Sequence, residues 1–389
     1  MIQLEKNECY GCSICSIVCP KKCIEMIDDN EGFQYPSINE KKCINCHLCE
    51  KKCPAINNNK KFDFEQKAYI IRDKNINRLK NSSSGSFVTN VAKNIIEKNG
   101  IVYGVAFNAE QNVEHIRISK NNENDLTKIQ GSKYVACDIN KVIPNIISDI
   151  NNGFLVLFIG TPCQISALKQ LIKNGKLITI EVVCHGTPSK LLFNVYKKYL
   201  ENKYKAKIKS VKFRNKTYGY HSSTMLIKFE NNKNYYKSGR TDLYLKSFFS
   251  NLCSRQTCYN CKYKTKTRFA DFTIFDCWHF KEITNINDDD LGYTHLFINS
   301  SLAHAVFEQI QNEYYYYDSD IDKAINLDGS MIEHSVPYNL YRDEYYINIK
   351  NNDFKKHCAK YFKITYMDNI IEKLKKIIYY KKWKENING

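Results

Sequence analysis

Two copies of one cysteine run constrain this chain more than any other feature. Cys9, Cys12, Cys15 and Cys19 precede Pro20, and Cys43, Cys46, Cys49 and Cys53 precede Pro54. Each copy reads C-x2-C-x2-C-x3-C-P, the spacing that holds a pair of 4Fe–4S clusters. Three thiolates at two-residue gaps wrap a short loop around three corners of a cubane, and the fourth, before a chain-turning proline, crosses to the other cluster. The spacing predicts one cluster on Cys9, Cys12, Cys15 and Cys53, and a second on Cys43, Cys46, Cys49 and Cys19. Structural zinc favours paired CxxC or CxxC/HxxxH units set well apart. Disulfides need an oxidising compartment, and neither an export signal nor an apolar spanning run precedes these cysteines.

The expected organisation is a two-cluster ferredoxin domain over 1–57, a polar linker over 58–67 and a catalytic domain over 68–300. A helical C-terminal extension with a basic tail follows over 301–389. The chain has 389 residues, 43% of them hydrophobic, and no run long enough to span a bilayer, so a soluble protein with a packed core is expected. Seventeen cysteines without an export signal point to a reducing cytoplasm and ligand chemistry. The net charge of +17 comes largely from scattered lysines. With no arginine-rich cluster and no known nucleic-acid motif, attraction to an acidic redox partner explains it better than nucleic acid.

From Ala68 onward strands and helices alternate, which predicts an α/β (α+β) body with a mainly parallel sheet. Strands are expected at Ala68–Arg72, Ile101–Phe107, Val113–Ser119, Phe154–Ile159 and Leu177–Val183, with a helix at Phe87–Lys98. Gly160-Thr161-Pro162 and Gly186-Thr187-Pro188 each read as a strand exit with a threonine N-cap and a proline in the first helical position. Residues 207–237 read as antiparallel strands, 301 onward as helix, and 2–4 as a short strand beside the clusters. Cys23, Cys137, Cys253, Cys277 and Cys358 read as packing residues.

Topology brings a further cysteine set together. Cys163 and Cys184 follow neighbouring parallel strands at the carboxyl edge, where open α/β sheets bind ligands. Cys258 and Cys261 add a CxxC. Together they offer four thiolates for a third 4Fe–4S cluster. Spacing alone leaves two alternatives open, a CxxC zinc or redox pair and unconnected buried thiols.

Gly160-Thr161-Pro162-Cys163-Gln164, Cys184-His185-Gly186, Gly131-Ser132-Lys133-Tyr134, and Cys258/Cys261 before Asp271, Asp276 and Trp278 resemble a known set of motifs. They are similar to those of the beta subunit of coenzyme F420 (deazaflavin)-reducing hydrogenase and its dehydrogenase relatives, in the form fused to a two-cluster ferredoxin. The resemblance runs from Cys9 to about Trp278, and more weakly to about residue 360. It implies FAD and a 4Fe–4S cluster held by Cys163, Cys184, Cys258 and Cys261. Where relatives usually have Ser-Gly-Gly this chain has Ser84-Gly85-Ser86, and where they have Gly-Asp-Phe-Trp it has Phe275-Asp276-Cys277-Trp278.

A flavin pyrophosphate favours N–H groups at a helix start, which selects Ser84-Gly85-Ser86 and Thr161-Pro162 with Gln164, or else ordinary helix caps. Ser132, Lys133 and Tyr134 are candidates for the isoalloxazine edge and face, and Arg214 for an anionic cofactor group. His185 is a candidate proton relay, so Lys133 and His185 are the catalytic candidates. Taken singly, each also fits a surface, core or structural residue. The combination implies an FAD-dependent iron–sulfur oxidoreductase linking a ferredoxin or another redox protein to a small organic two-electron substrate. That substrate is a deazaflavin or another compound, in surface-polysaccharide metabolism for many bacterial relatives. The competing readings are a non-catalytic electron-transfer subunit and a basic, metal-stabilised binding module.

Overall fold

The computed structural model describes residues 2–57, 64–173, 175–347, 349–350 and 353–385, with 380–385 as main chain only. Most of the expected linker over 58–67 therefore lies outside the described residues.

In the N-terminal domain, β1 (Ile24–Asp28) and β2 (Gln34–Ile38) form an antiparallel hairpin. Asp29 closes it by accepting the Glu31 and Phe33 N–H groups, each at 3.0 Å. Residues 2–4 pair with no strand, and Ile2 instead packs with Cys15, Cys49, Cys53 and Ala55 in a small core. Too few side chains are buried here to hold the domain by hydrophobic packing alone.

The body contains an eight-stranded sheet ordered β13-β3-β12-β11-β7-β6-β4-β5. Its strands are β3 (Lys67–Asp73), β4 (Ile101–Phe107), β5 (Val113–Ile118), β6 (Val156–Gly160), β7 (Leu177–Val182), β11 (Phe272–Cys277), β12 (Tyr293–Ile298) and β13 (Tyr314–Asp318). A separate antiparallel sheet holds β8 (Ile208–Asn215), β9 (Thr224–Phe229) and β10 (Asn234–Ser238). The large sheet is mixed, which corrects the expectation of a mainly parallel one. β4, β6, β7 and β11 run parallel at its centre, while β5, β12, β3 and β13 are added antiparallel. Parallel neighbours need a crossover, and helices supply one between β4, β6 and β7; β5 follows β4 through a short turn and can only return antiparallel. β13 belongs to the 301–389 segment expected to be helical, and its run of four tyrosines fits an exposed edge strand.

Side chains alternate across this sheet. On one face Val102, Leu157, Ile178 and Ile180 pack against the Phe87–Glu97 and Ser301–Ile310 helices. On the other, Ile101, Tyr103, Val156 and Phe158 meet the Ile143–Asn151 and Pro162–Leu171 helices. The first repeated tripeptide behaves as read, with Pro162 opening a helix behind Thr161. The second does not: Ser189 caps the Lys190–Tyr204 helix, and Pro188 bridges to Ser254. The basic tail forms a Tyr366–Glu385 helix that docks on the body, with Glu372 buried on Ser238 and the Tyr379 hydroxyl on Asp290. No helix among the described residues is long and apolar enough to cross a membrane.

At the carboxyl end of the parallel strands, Arg268 and Glu181 form an ion pair with side chains 2% and 0% exposed. Arg268 also donates to the Tyr263 and Thr265 carbonyls, so the pair ties the cysteine-bearing loop to the sheet. Truncating one partner strands the other charge, and Arg268→Ala should cost about 3–5 kcal/mol. The double variant Arg268→Met, Glu181→Leu should recover most of that loss, as read from denaturation midpoints.

Candidate metal and cofactor site

The two N-terminal cysteine loops share one backbone design. Gly11 and Ser13 in the first, and Asn45 and His47 in the second, all adopt positive φ between 51° and 66°. The repeated left-handed turns curl each loop around a cavity. Cys9, Cys12, Cys15 and Cys53 line one cavity, with Ile2, Ile14 and Pro54 closing it. Cys19, Cys43, Cys46 and Cys49 line the other. Burial pushes the Cys12, Cys15 and Cys53 thiols up, Cys15 to about 12. Such thiols become thiolates only with a compensating cation. Cys23, read as a packing residue, also lines the second cavity with its sulfur 3.3 Å from that of Cys19.

The third set converges as topology suggests. Burial raises the Cys163 and Cys184 thiols, Cys163 to about 12, and the charges of Cys258 and Cys261 act on both. Among the described residues, no three sulfurs of any of these sets lie within 4.8 Å of one another. A single tetrahedral zinc would draw its thiolates to about 3.8 Å, given Zn–S bonds of about 2.3 Å. The spacing suits a larger group.

One segment joins the two regions. Thr257 Oγ1 donates to the Cys9 carbonyl at 2.7 Å, and Arg255 Nη1 reaches the carbonyls of Cys9 and Gln34. The Arg255 guanidinium lies 4.9 Å from the Phe33 ring and 4.8 Å from the Tyr35 ring. Tyr10, beside Cys9, accepts the Lys262 N–H at 3.0 Å and meets the Tyr263 ring edge-on at 4.9 Å. Burial and the charges of Cys261, Cys163 and Cys258 raise the Tyr10 phenol, which places it between the two thiol sets.

A basic pocket lies at the end of β11, β12 and β8. Arg214, buried, pairs with Asp276 at 2.8 Å, with Trp278 and Tyr220 stacked against its guanidinium. Its Nη2 has no partner. Lys216, which the sequence reading passed over, donates to the Leu79 and Ser84 carbonyls and so braces the 82–86 loop. Gly85 packs so tightly that a Cβ would stand 2.3 Å from the Ile71 carbonyl oxygen. Ser86 takes φ 68° and ψ 39°, a conformation glycine adopts readily, and its buried hydroxyl caps nothing. Ser83 fastens this loop to Ser132, at 2.8 Å to its N–H. Thr294 Oγ1 accepts the Gly85 N–H at 2.7 Å and meets the Ser84 hydroxyl at the same distance.

The remaining candidates are engaged elsewhere. Thr161 and Gln164 spend their polar groups on a reciprocal capping box, and Gln164 also holds the Cys137 carbonyl. His185 bonds to Asn251 at 2.8 Å, and burial lowers its pKa. Tyr134 stacks on Phe248 at 5.0 Å, and its hydroxyl accepts from Arg214 at 3.4 Å. Lys133 donates to the Lys128 and Gln130 carbonyls, and burial presses its pKa down to about 7.

Lys216 is held the same way: burial and the neighbouring Arg214 charge bring it from 10.5 to about 7. The unfolded chain keeps the ordinary value and binds the extra proton between those limits, so stability should rise as pH climbs from about 7 to 10.5. Urea midpoints across that window should show a shallower rise for Lys216→Met.

Residues 155–324 match the family described as the C terminus of the coenzyme F420 hydrogenase/dehydrogenase beta subunit, and residues 8–57 match the 4Fe-4S dicluster domain family. An uncharacterized polyferredoxin-like protein of Methanocaldococcus jannaschii is 40% identical over 55 residues, which are 12% of this chain and 33% of that protein. An uncharacterized ferredoxin of the same organism is 33% identical over 54 residues, 14% of this chain and 69% of that one. The chain thus spans about a third of the length of the first relative. A chain from the F420-reducing NiFe hydrogenase complex of Methanosarcina barkeri is similar at 13% identity and a TM-score of 0.45, covering 76% of this chain and 90% of that chain. The chain belongs to the coenzyme F420 hydrogenase/dehydrogenase beta-subunit family, in a form that carries a 4Fe–4S dicluster domain at residues 8–57.

Proposed function

We propose that this protein is an iron–sulfur flavoprotein oxidoreductase linking a one-electron protein partner of the ferredoxin type to a small organic two-electron substrate. The observation that carries it is the shared segment: the loop bearing Cys258 and Cys261 also grips the Cys9 loop, with Tyr10 between them. In this reading Cys9, Cys12, Cys15 and Cys53 hold one cluster, and Cys19, Cys43, Cys46 and Cys49 hold another. Cys163, Cys184, Cys258 and Cys261 hold a third. When bound, the clusters supply single-electron transfer and FAD collects two electrons with a proton.

The chain's own groups fit these roles. The unpartnered Arg214 Nη2 and Ser86 hydroxyl, at a loop braced by Lys216, suit the anionic part of FAD. Lys133, held near neutrality, is placed to give or take a proton at the isoalloxazine edge. On the outer domain, Lys21, Lys22, Lys41, Lys42 and Lys51 are exposed around Cys46, with Ile44 and Leu48 also at the surface. An acidic redox protein fits that face. Electrons then pass through the Cys46 set, the Cys9 set and the Cys163 set to the pocket at Arg214. The substrate is a deazaflavin coenzyme or another small two-electron compound.

Protein purified without oxygen should contain about twelve iron and about twelve sulfide per chain, as three cubanes require, and one FAD. Cys258→Ser should lose about four iron while the two N-terminal clusters stay visible by low-temperature EPR. A reproducible content of about eight iron in the native protein would remove the third cluster. Absence of flavin would remove the oxidoreductase reading. Mixing reduced protein with deazaflavin, nicotinamide or quinone acceptors identifies the substrate class by the rate of flavin reoxidation.

A further inference from the structure

A different set of metal-ligating side chains lies on β11 and β12, apart from the cluster cysteines. The register pairs Phe275 with His295 and Cys277 with Tyr293, which makes Cys277 and His295 diagonal neighbours on one face of the sheet. The Ile321–Asp328 helix packs over that face, and its last residue delivers a carboxylate to the same point. Ligand atoms of Cys277, His295 and Asp328 all lie within 4.8 Å of one another. Cys277 and His295 are 0% exposed, and the Asp328 side chain is equally covered.

Asp328 is held from several sides. Its Oδ2 accepts from His295 Nε2 at 3.0 Å and from the Trp278 N–H at 3.1 Å, while Oδ1 faces His279 Nδ1 at 2.6 Å. The His279 side chain is 41% exposed and borders the route to solvent.

We infer that Cys277, His295 and Asp328 form a binding site for one divalent transition ion of the zinc class, with His279 orienting the carboxylate from its other oxygen. One thiolate, one imidazole and one carboxylate suit a borderline-soft ion, whereas calcium and magnesium take oxygen donors. Zn–N bonds of about 2.0 Å and Zn–S bonds of about 2.3 Å set donors about 3.3–3.8 Å apart. The three atoms reach that arrangement by small rotations that open the His295–Asp328 hydrogen bond. Binding releases the Cys277 thiol proton and the proton in that hydrogen bond. The fourth position is left to solvent arriving past His279. The ion ties a helix to two strands beside Asp276, and so stiffens the wall on which Arg214 rests.

The test is element-specific and uses the full chain with its clusters. Holoprotein equilibrated with zinc and freed of excess should retain about one zinc per chain, with X-ray absorption at the zinc edge showing one sulfur at about 2.3 Å among nitrogen and oxygen neighbours. Cys277→Ala should lose the sulfur shell with iron content unchanged. His279→Ala, at a half-exposed position that leaves the core intact, should weaken zinc retention about 10–100-fold. A four-sulfur shell would place the zinc in a vacated cluster site and overturn the inference. So would zinc no higher than in a buffer control, or equal zinc retention by native protein and His279→Ala.

Discussion

The hydrogen bonds that Thr257 and Arg255 make to the Cys9 carbonyl are the contact on which the rest of this architecture depends. They come from the same short segment that supplies Cys258 and Cys261, so one piece of chain fixes the N-terminal domain and completes the inner thiol set. Arg255 is almost fully buried, and aromatic rings flank it. A cation placed there is costly unless its N–H groups are used, and backbone carbonyls of the N-terminal domain use them. Arg342 repeats the device further out, clasping Glu31 in a bidentate pair. The domain is therefore held by polar contacts of fixed geometry, as the separation between redox centres demands.

The same economy appears at the sheet edge. Glu181 and Arg268 place the 263–268 turn, and Lys264 reaches back to the Cys184 carbonyl. Charged side chains with several fixed partners do here what apolar packing does in the interior. Desolvated ions tolerate little displacement, so they position loops more sharply than hydrophobic contacts can. This is also where the basic composition acts: Lys216, Arg214 and Lys133 are lysines and arginines withdrawn from the surface into loop junctions.

What could be read from sequence followed the range of the interaction. The paired cysteine runs are local, and a ligand loop at two-residue spacing carries its own geometry, so that domain was legible residue by residue. Cys163, Cys184, Cys258 and Cys261 required strand order, and the expectation of parallel neighbours was right for β6, β7 and β11. β13 was missed because a stretch of tyrosines lacks the alternation of a half-buried strand. Lys216 and Cys277 were passed over for another reason. Nothing near them in sequence announces Ser84 or Asp328, which arrive from more than forty residues away. Ser86 shows the converse: its departure from glycine was visible at once, and only the backbone angle gave it meaning.

Exposure grades the cysteines along the chain of contacts. Cys46 is open to solvent, Cys19 and Cys43 are half-covered, and Cys9, Cys15 and Cys53 are buried. Oxidants attack sulfur in order of access. Oxygen damage would therefore begin at the outermost centre and strip the partner-facing terminal before the inner thiols are touched. Such a molecule fails as a fuse does, by going open-circuit at its replaceable end, with the pocket at Arg214 still intact but disconnected from its supply.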